Sequence, residues 1–463
     1  MIHKYALAGQ YVVLDVNSGA VHLADELAFA LLDRLEPLLA PACPPEVLSR
    51  LEADWPSQDI LEAYDELRLL EEAGQLFSPD DYGVFAEKMV ASPVKSMCLN
   101  VSHDCNLRCA YCFAGKGDYN QGRMVMTAET GRRAIDFLLE QSRGRENLEV
   151  DFFGGEPLMN FDVVRQVVEY ARGREAAWGK KFRFTITTNG LLLDGEKIEY
   201  INREMSNVVL SLDGRKPVND RVRARVDGSG CYEAIVPKFQ RLVEERGDKE
   251  YYVRGTFTKY NKDFADDVIT LNALGFDQIS IEPVVADPCH DYALTREDLP
   301  EIFSEYERLG DLLLDEKRRG NSFNFFHFML DLDQGPCAIK RLRGCGCGNE
   351  YVAITPDGDI YPCHQFIGHE EWKMGSLYNG TFDLAAKERF SRVTVYQKPD
   401  CADCWAKFYC SGGCNANNMQ YAGDILKPYA FSCDLEKKRL ECAIALKARL
   451  LEAGAGFTAK GEK

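Results

Sequence analysis

Three cysteines lie close together in the segment CNLRCAYCFAG, which spans residues 105–115. Cys105, Cys109 and Cys112 follow the spacing C-x3-C-x2-C and are set among small and aromatic residues. In a cubane iron–sulfur cluster, each of the four irons needs one ligand beyond its three bridging sulfides. Three cysteines therefore ligate three irons and leave the fourth open to a substrate or a cofactor. Zinc is the alternative, because thiolates are also common zinc ligands.

A second set of cysteines is concentrated in the last third of the chain. Their spacing is C-x7-C-x-C-x15-C, followed by C-x2-C-x5-C-x3-C-x18-C. A C-x2-C pair alone is typical of zinc, but nine cysteines with these spacings favour metal clusters of another kind. The nine are Cys337, Cys345, Cys347, Cys363, Cys401, Cys404, Cys410, Cys414 and Cys433.

The residues between 96 and 286 alternate short apolar runs with amphipathic helical segments, as βα units around a parallel sheet do. Six such strands predict an α/β fold with a partial (β/α)6 barrel of the TIM type, whose chemistry collects at the carboxyl ends of the strands. The cysteine loop and the motifs FFGGEP, TTNG and SLDG each lie at or near such an end. The predicted strands are SMCLNVSH, LEVDFFGG, KFRFTITTNG, NVVLSLDG, YYVRGTFTK and QISIEPVVA.

The chain divides into four predicted segments. Residues 1–78 contain a β-hairpin signal at the sequence NSG and three helical patterns, which together predict a winged-helix-like domain. Residues 79–95 are polar, contain Pro and Gly, and are predicted to be a linker. Residues 96–330 contain the barrel. Residues 331–463 are rich in Gly, Pro and Cys, so we expect metal ligation rather than a large apolar core to organise them.

The composition argues against several classes of function. The chain has 463 residues, a formal net charge of −18 and a pI near 5.0, and nucleic-acid binding needs clustered Lys and Arg instead. The N-terminus lacks the features of a signal peptide, and no run of about eighteen apolar residues predicts a membrane span. We therefore expect a cytoplasmic protein without a membrane partner. In that reducing compartment, 17 cysteines indicate metal or redox chemistry rather than disulfides.

The loop of Cys105, Cys109 and Cys112, with an aromatic residue just before the last cysteine, resembles the signature of the radical S-adenosylmethionine (SAM) enzymes. The resemblance implies that SAM chelates the open iron and is cleaved to a 5′-deoxyadenosyl radical by an electron from the cluster. It also implies that the FFGGEP motif holds the SAM ammonium. The serine of SLDG and an arginine on the fifth strand would face the SAM ribose and carboxylate. The implied SAM-binding residues are Tyr111, Gly154, Gly155, Glu156, Asn189, Ser211 and Arg254.

The C-terminal cysteines resemble the SPASM extension of radical SAM enzymes, which carries two auxiliary [4Fe–4S] clusters. Position in the motif implies that one cluster is held by Cys401, Cys404, Cys410 and Cys433. Cys363 and Cys414 are implied ligands of the other cluster, together with Cys337 and Cys345, and Cys347 is then a spare thiol. The cofactors implied for the whole chain are SAM and three [4Fe–4S] clusters.

The chain resembles, from end to end, the maturases of SCIFF peptides, named for six cysteines in forty-five. The segments VVLDVNSGAVH and GCGCGNEYVAITPDGDIYPCHQF, the barrel motifs and the SPASM cysteines all contribute to this resemblance. It implies that the N-terminal domain recognises the leader of a Cys-rich precursor peptide, by adding a strand to its own sheet. The barrel would join a peptide Cys sulfur to a carbon of another residue, typically Thr, as a thioether. A reductant such as flavodoxin or ferredoxin is the second implied partner.

Two other functions stay open at this stage. One is a different radical SAM modification of a peptide or protein, such as formylglycine formation, a carbon–carbon cross-link or epimerisation. The other is a zinc-stabilised scaffold that binds peptides without chemistry. His364 directly follows Cys363, at the place where sulfatase-maturing relatives have an acidic general base. This difference weakens the case for formylglycine formation and assigns the histidine no role of its own.

Overall fold

The computed structural model describes residues 1–332 and 338–452, so Cys337 lies outside the described residues. The strands are β1 (Ile2–Leu7), β2 (Gln10–Asp15), β3 (Val21–Ala24), β4 (Ser96–Ser102), β5 (Leu107–Cys109), β6 (Asn147–Gly154), β7 (Lys181–Thr188), β8 (Asn207–Ser211), β9 (Arg223–Arg225), β10 (Glu250–Phe257), β11 (Gln278–Pro283), β12 (Asn324–Phe325), β13 (Tyr351–Ile354), β14 (Asp359–Tyr361), β15 (Gly375–Ser376) and β16 (Thr381–Phe382). The α-helices are α1 (Glu26–Leu31), α2 (Pro45–Leu51), α3 (Ser57–Glu72), α4 (Gly83–Glu87), α5 (Ala128–Gln141), α6 (Phe161–Trp178), α7 (Gly195–Glu204), α8 (Lys216–Val222), α9 (Tyr232–Arg246), α10 (Phe264–Ala273), α11 (Leu299–Arg318), α12 (Ala338–Arg343), α13 (Leu384–Ser391), α14 (Pro399–Ala402), α15 (Lys407–Cys410), α16 (Asn415–Ala422) and α17 (Ala430–Glu452).

The main sheet has the strand order β12-β11-β10-β8-β7-β6-β4-β13-β14-β15-β16. The six strands from β11 to β4 in this order are the six predicted from sequence, and each neighbouring pair is parallel. Helices lie between these strands along the chain, as in βα units. The α/β fold with a large, mostly parallel sheet is therefore confirmed, and the sheet is open, with β12 and β16 at its two edges.

Each barrel strand has one apolar face and one polar face, because neighbouring side chains on a strand point to opposite sides. On β6, Val150 and Phe152 are fully buried and share one core cluster with residues of α5 and α6. The opposite face includes Asp151 of β6, Ser211 of β8 and the exposed Arg254 of β10. The sheet thus has an apolar face packed against helices and an opposite face that carries these polar side chains.

The N-terminal sheet is antiparallel, with the order β1-β2-β3. The predicted β2–β3 hairpin is present, whereas β1 was not predicted, because its sequence IHKYAL lacks a clear apolar alternation. Val13 packs against α1, α2 and α3, but Val12 and Leu14 on the other face pack in a cluster with Val395 and Phe408. The N-terminal sheet is consequently packed between its own helices and the cysteine-rich part of the chain.

The predicted linker is held against the C-terminal region. It contains α4, and the carboxylate of Asp80 lies 2.5 Å from the ammonium of Lys407. The ring of Tyr82 contacts that of Phe408, with 5.0 Å between ring centroids. These contacts restrict the segment, so it is not a free tether. The domain boundaries themselves stay predictions.

The expectation that residues 331–463 lack a large apolar core is wrong. β13 pairs in parallel with β4 and so extends the barrel sheet. Val352 and Ile354 of β13, with Leu435 and Leu446 of α17, belong to the same buried cluster as the barrel strands. Long-range strand pairing supplies this core, and such pairing leaves little signal in local sequence spacing. Within the described residues, no helix combines the length and apolar character that a membrane span requires.

Candidate functional site

The three-cysteine loop begins directly after β4, which lies between β6 and β13 in the sheet. Part of the loop is β5, which pairs antiparallel with β9 and places Cys109 opposite Arg223. The loop also packs tightly: a Cβ atom on Gly117 would lie 2.7 Å from the Cβ of Cys105, and Gly117 has a φ of +89°. The cysteine side chains of this loop are therefore held by tertiary contacts as well as by their spacing.

Arg223 is a site residue that sequence analysis missed. Its side chain is buried, and its Nε has no hydrogen-bond partner among the described residues. Burial raises the pKa of Cys105 to about 11 and that of Cys109 to about 12, and it also raises the pKa of Cys112; the Arg223 guanidinium acts in the opposite direction at all three thiols. Metal ligation requires thiolates. A buried cation with an unpaired N–H beside three thiols therefore fits an anionic cluster.

Tyr111 anchors the loop. Its hydroxyl donates to the Asp213 carboxylate at 2.7 Å and accepts from Nη1 of Arg223, also at 2.7 Å. Asp213 in turn accepts a hydrogen bond from the backbone N–H of Thr256 on β10, at 3.0 Å. The resemblance implied a SAM contact for Tyr111, and the structure adds a positioning role that ties the cysteine loop to the ends of two barrel strands.

Gly154 and Gly155 lie against the start of the cysteine loop. A Cβ atom on Gly154 would meet the carbonyl oxygen of Ser102 at 2.2 Å, and one on Gly155 would meet that of Asp104 at 2.2 Å. The backbone N–H of Gly155 donates to Ser102 at 2.7 Å. The glycines are required because the chain itself approaches here. The SAM contact that the resemblance implies for these glycines stays a prediction.

The side chain of Glu156 links the carboxyl ends of β6 and β7. It is 1% exposed. Its carboxylate accepts hydrogen bonds from the Thr188 hydroxyl at 2.8 Å, from the Asn189 N–H at 2.8 Å and from the Leu158 N–H at 3.0 Å. Burial raises the pKa of Glu156 to about 7, against these hydrogen bonds, which lower it. Much of its hydrogen-bonding capacity is used within the protein, and its predicted contact with the SAM ammonium is not tested.

Asn189 reaches the cysteine loop directly. Its Nδ2 donates to Oδ1 of Asn106 at 2.8 Å and lies 3.7 Å from Sγ of Cys105. Its Oδ1 accepts from the N–H of Leu191 at 3.1 Å, which fixes the orientation of the amide. The TTNG motif is therefore a support of the first cysteine, in addition to being a turn after β7.

Ser211 and Arg254, which are both predicted to face SAM, lie on neighbouring strands. They are register partners on β8 and β10, so their side chains lie on the same face of the sheet. Arg254 is more than half exposed, and its guanidinium donates to Oε2 of Glu282 at 2.6 Å. Arg254 thus has a carboxylate partner on β11, and a second carboxylate ligand would share the guanidinium with Glu282.

Four of the C-terminal cysteines line one cavity of about 210 Å³. Burial raises the pKa of Cys401 to about 11 and that of Cys410 to about 12. Their side chains come from α14, α15, the loop between them and α17, so this part of the fold closes around the cavity. The four cysteines are Cys401, Cys404, Cys410 and Cys433. A cavity lined by four thiols fits the implied auxiliary cluster.

The second cysteine set includes Cys347, which its position in the motif implied to be a spare thiol. Cys347 is buried in one cluster with Cys363, and its interaction with Cys363 lowers the pKa of Cys363. Cys345 and Cys414 lie near enough to act electrostatically on Cys347. Tertiary packing therefore makes Cys347 a candidate ligand beside Cys345, and the assignment of the ligand among these two stays a prediction. Cys337 cannot be placed, because it lies outside the described residues.

Within residues 1–332 and 338–452, no three Cys, His, Asp or Glu side chains converge closely enough to bind a single metal ion. A [4Fe–4S] cluster presents its four ligand sites on four separate irons, so its thiolates surround a volume instead of meeting at a point. The cavity lined by Cys401 and its partners is of this kind.

An aromatic group joins the two cysteine regions. Phe113 follows Cys112, and its ring lies 5.4 Å from that of His364, which follows Cys363. Phe153 of β6 completes the group, 6.4 Å from Phe113 and 5.1 Å from His364 between ring centroids. Burial lowers the pKa of His364 to about 4, and the charge of Arg254 adds to this effect. The group thus lies beside Arg254, between the three-cysteine loop and the second cysteine set.

Comparison with known proteins identifies the two cysteine regions. Residues 99–283 match the model of the radical SAM superfamily, and residues 345–405 match that of SPASM, an iron–sulfur cluster-binding domain. The chain thus has a radical SAM domain of α/β fold followed by a SPASM domain. The radical SAM match supports an enzyme, and the cofactors of these two domains are SAM, a SAM-binding [4Fe–4S] cluster and auxiliary iron–sulfur clusters.

Two curated relatives and a solved structure are similar over most of their length. The radical SAM cyclopropyl synthase TigE of Paramaledivibacter caminithermalis is 22% identical over 376 residues, covering 74% of this chain and 72% of TigE. A cysteine-type anaerobic sulfatase-maturating enzyme of Clostridium novyi is 24% identical over 332 residues, covering 68% and 86%. The structure of native anSMEcpe with bound AdoMet and Cp18Cys peptide has a TM-score of 0.62 at 20% identity, covering 78% of this chain and 99% of that one. At this identity the structural likeness shows a shared fold.

Proposed function

We propose that the protein forms a thioether between a Cys sulfur and a carbon of another residue, such as Thr, in a ribosomally made Cys-rich precursor peptide. The observation that carries the proposal is the ring group of Phe113, Phe153 and His364, which lies between the SAM-cluster loop and a SPASM cysteine set. A peptide in this place has hydrogen-atom chemistry on one side and an auxiliary iron–sulfur site on the other.

The reaction requires both the SAM-cluster loop and an auxiliary iron–sulfur site. The loop of Cys105, Cys109 and Cys112 would hold the cluster that binds SAM, and reductive cleavage there would supply a radical able to take a hydrogen atom from the peptide carbon. As the Cys thiolate bonds to that carbon, one electron must leave the peptide, and the thiol proton goes to solvent. The C–H and S–H bonds are replaced by one C–S bond, and the peptide loses two hydrogens. The SPASM clusters are redox centres in the same chain that can accept the electron.

This chain's own residues position the reactants. The Arg254 and Glu282 pair lies on the same face of the sheet as Ser211 and offers one charge of each sign to SAM or to the peptide backbone. The hydroxyl of Tyr351 lies 3.2 Å from Nδ1 of His364 and orients that ring. The rings of Phe113 and Phe153 offer an apolar surface to the peptide, which also limits the entry of water.

The proposed product can be tested directly. The reconstituted enzyme is incubated anaerobically with SAM, a reductant and a Cys-rich precursor peptide encoded beside its gene. A thioether lowers the peptide mass by two hydrogens and leaves one fewer thiol available to alkylation. A peptide whose alkylatable thiols are all retained after turnover contradicts thioether formation, and its fragmentation then distinguishes a carbon–carbon link, epimerisation or formylglycine. A protein that binds zinc in place of iron supports the scaffold alternative.

The leader of the peptide is proposed to bind at β3, an edge strand of the N-terminal sheet. The backbone N–H of Asp15 donates to Ala20 across the hairpin, and hydrogen-bonded pairs alternate along an antiparallel ladder. His22 is therefore paired towards β2, and the N–H and C=O of Leu23 point to the open edge. The Leu23 side chain is 41% exposed. This edge can accept an added strand.

We expect Leu23→Pro to weaken leader binding at least about tenfold, because proline removes an N–H that points outwards and blocks strand addition. The change spares the β2–β3 ladder, so SAM cleavage without peptide should be retained. Fluorescence anisotropy with a labelled leader measures the affinity. Leu23→Ala is the matched control: it removes the side chain and keeps the N–H, and should bind nearly normally. Equal affinity of the proline variant and the wild type contradicts strand addition at β3.

A further inference from the structure

Lys398 is a buried lysine with an unusual set of partners. Its side chain is 1% exposed, and its ammonium donates to the carbonyl oxygen of Gly412 at 2.7 Å and to Oδ1 of Asn415 at 3.0 Å. Both acceptors are neutral. Among the described residues, no carboxylate lies within ion-pair distance of this ammonium, although an isolated buried cation is costly.

The surrounding backbone is shaped to the lysine. Gly412 has a φ of +81°, and a Cβ atom there would lie 2.9 Å from Cδ and 3.1 Å from Nζ of Lys398. The Gly412 carbonyl also accepts from Nδ2 of the buried Asn418 at 3.2 Å. The ammonium is therefore fixed in place by a loop that has little room for any other side-chain position.

The negative groups that act on Lys398 are cysteine thiolates from both SPASM sets. Burial lowers the pKa of Lys398, and the thiolates of Cys401 and Cys410 oppose that effect, as do those of Cys414 and Cys345. The action is mutual, because Lys398 lowers the pKa of Cys401 and Cys345 against their burial. Cys401 and Cys410 line the cavity described above, whereas Cys345 and Cys414 belong to the other set. The backbone N–H of Cys401 donates to the Lys398 carbonyl at 2.9 Å. Of the two acceptors of the ammonium, Gly412 lines the cavity of the first set and Asn415 follows Cys414 of the other set. Lys398 consequently lies between the two sets.

We propose that Lys398 is a fixed cation shared by the two auxiliary clusters, which raises the reduction potential of both. A four-thiolate cluster is negatively charged and becomes more negative on reduction, so a nearby cation stabilises the reduced form. The inference rests on the proposed function in one respect: a cluster that is easier to reduce is a better acceptor for the electron released during thioether formation. Lys398 acts through the clusters and is a positioning residue, not a catalytic one.

The test compares full-length reconstituted Lys398→Gln with the wild type. Glutamine keeps a hydrogen-bond donor and removes the charge. Redox titration followed by EPR, without peptide, should show that both auxiliary clusters are reduced at lower potential. The expected ratio of reduced to oxidised cluster falls at least about tenfold at fixed ambient potential, which is about 59 mV for one electron. The SAM-binding cluster should keep its potential, because its buried cation is Arg223.

Two further variants make the outcome decisive. Lys387→Gln is the matched control, because Lys387 is also buried but its charged neighbours are Arg143 and Glu350; it should leave all potentials unchanged. Lys398→Arg keeps the charge and should restore potentials and iron content towards wild type. The proposal is overturned by unchanged potentials in Lys398→Gln, by a shift in only one auxiliary cluster, or by equal defects in the Gln and Arg variants. None of these readouts depends on the peptide product, so failure of the thioether proposal is recognised separately.

Discussion

A variant with Cys105, Cys109 and Cys112 all changed to Ala is expected to show no reductive cleavage of SAM. The three thiols come from one loop and are the predicted ligands of the SAM-binding cluster, which must transfer the electron that cleaves SAM. Iron content should fall by about a third, from about twelve to about eight atoms per chain. The auxiliary clusters should remain, because their predicted ligands lie in the region after residue 336. Iron analysis and quantification of 5′-deoxyadenosine measure the two effects.

A double variant of Cys43 and Cys442 is the matched control. These cysteines are also buried but lie outside the cluster spacings. Their replacement by Ala should retain full iron content and SAM cleavage, apart from a modest loss of stability from smaller core side chains. Cleavage of SAM at the wild-type rate by the Cys105, Cys109 and Cys112 variant is the result that contradicts the assignment of the cluster loop.

Changing Cys347 to Ala is expected to remove about four irons per chain and to abolish peptide cross-linking. The reason is its position: Cys347 is buried in one cluster with Cys363, and it lies near enough to Cys345 and Cys414 to interact with them electrostatically. Loss of a ligand from a four-thiolate cluster opens one iron to solvent and destabilises the cluster. Iron analysis and the EPR signals of the auxiliary clusters measure the loss, and mass spectrometry of the peptide measures the cross-link.

Cys345→Ala provides the comparison, because the family resemblance implies that Cys345 is the ligand and Cys347 the spare thiol. Cys442→Ala is the control for a buried cysteine, since the charged groups that act on Cys442 are Lys438, Glu307, Glu441 and Asp311, and none of them is a cysteine. It should retain its iron. Full iron content and normal cross-linking in Cys347→Ala would restore the reading of Cys347 as spare and contradict the structural argument.

Local sequence patterns predict most strands of the barrel. The six parallel strands are read from short apolar runs between amphipathic segments, because burial under helices requires apolar side chains in each strand. Because the strands are parallel, motifs at their carboxyl ends lie at the same end of the sheet. The candidate cluster cysteines are recognisable for a similar reason: ligands on one loop must keep a fixed spacing, and that spacing is visible in the sequence.

The contacts between distant segments were decided by tertiary structure. Arg223 reaches the three-cysteine loop through the pairing of β5 with β9, and Lys398 reaches both SPASM cysteine sets through the loop at Gly412. The pairing of β13 with β4 and the ion pair of Asp80 with Lys407 join segments more than two hundred residues apart. The local sequence around an Arg or Lys does not show whether the residue lies on the solvated surface or beside a cluster. The role of such a residue depends on which distant chain segments pack around it, and local sequence spacing does not predict those contacts.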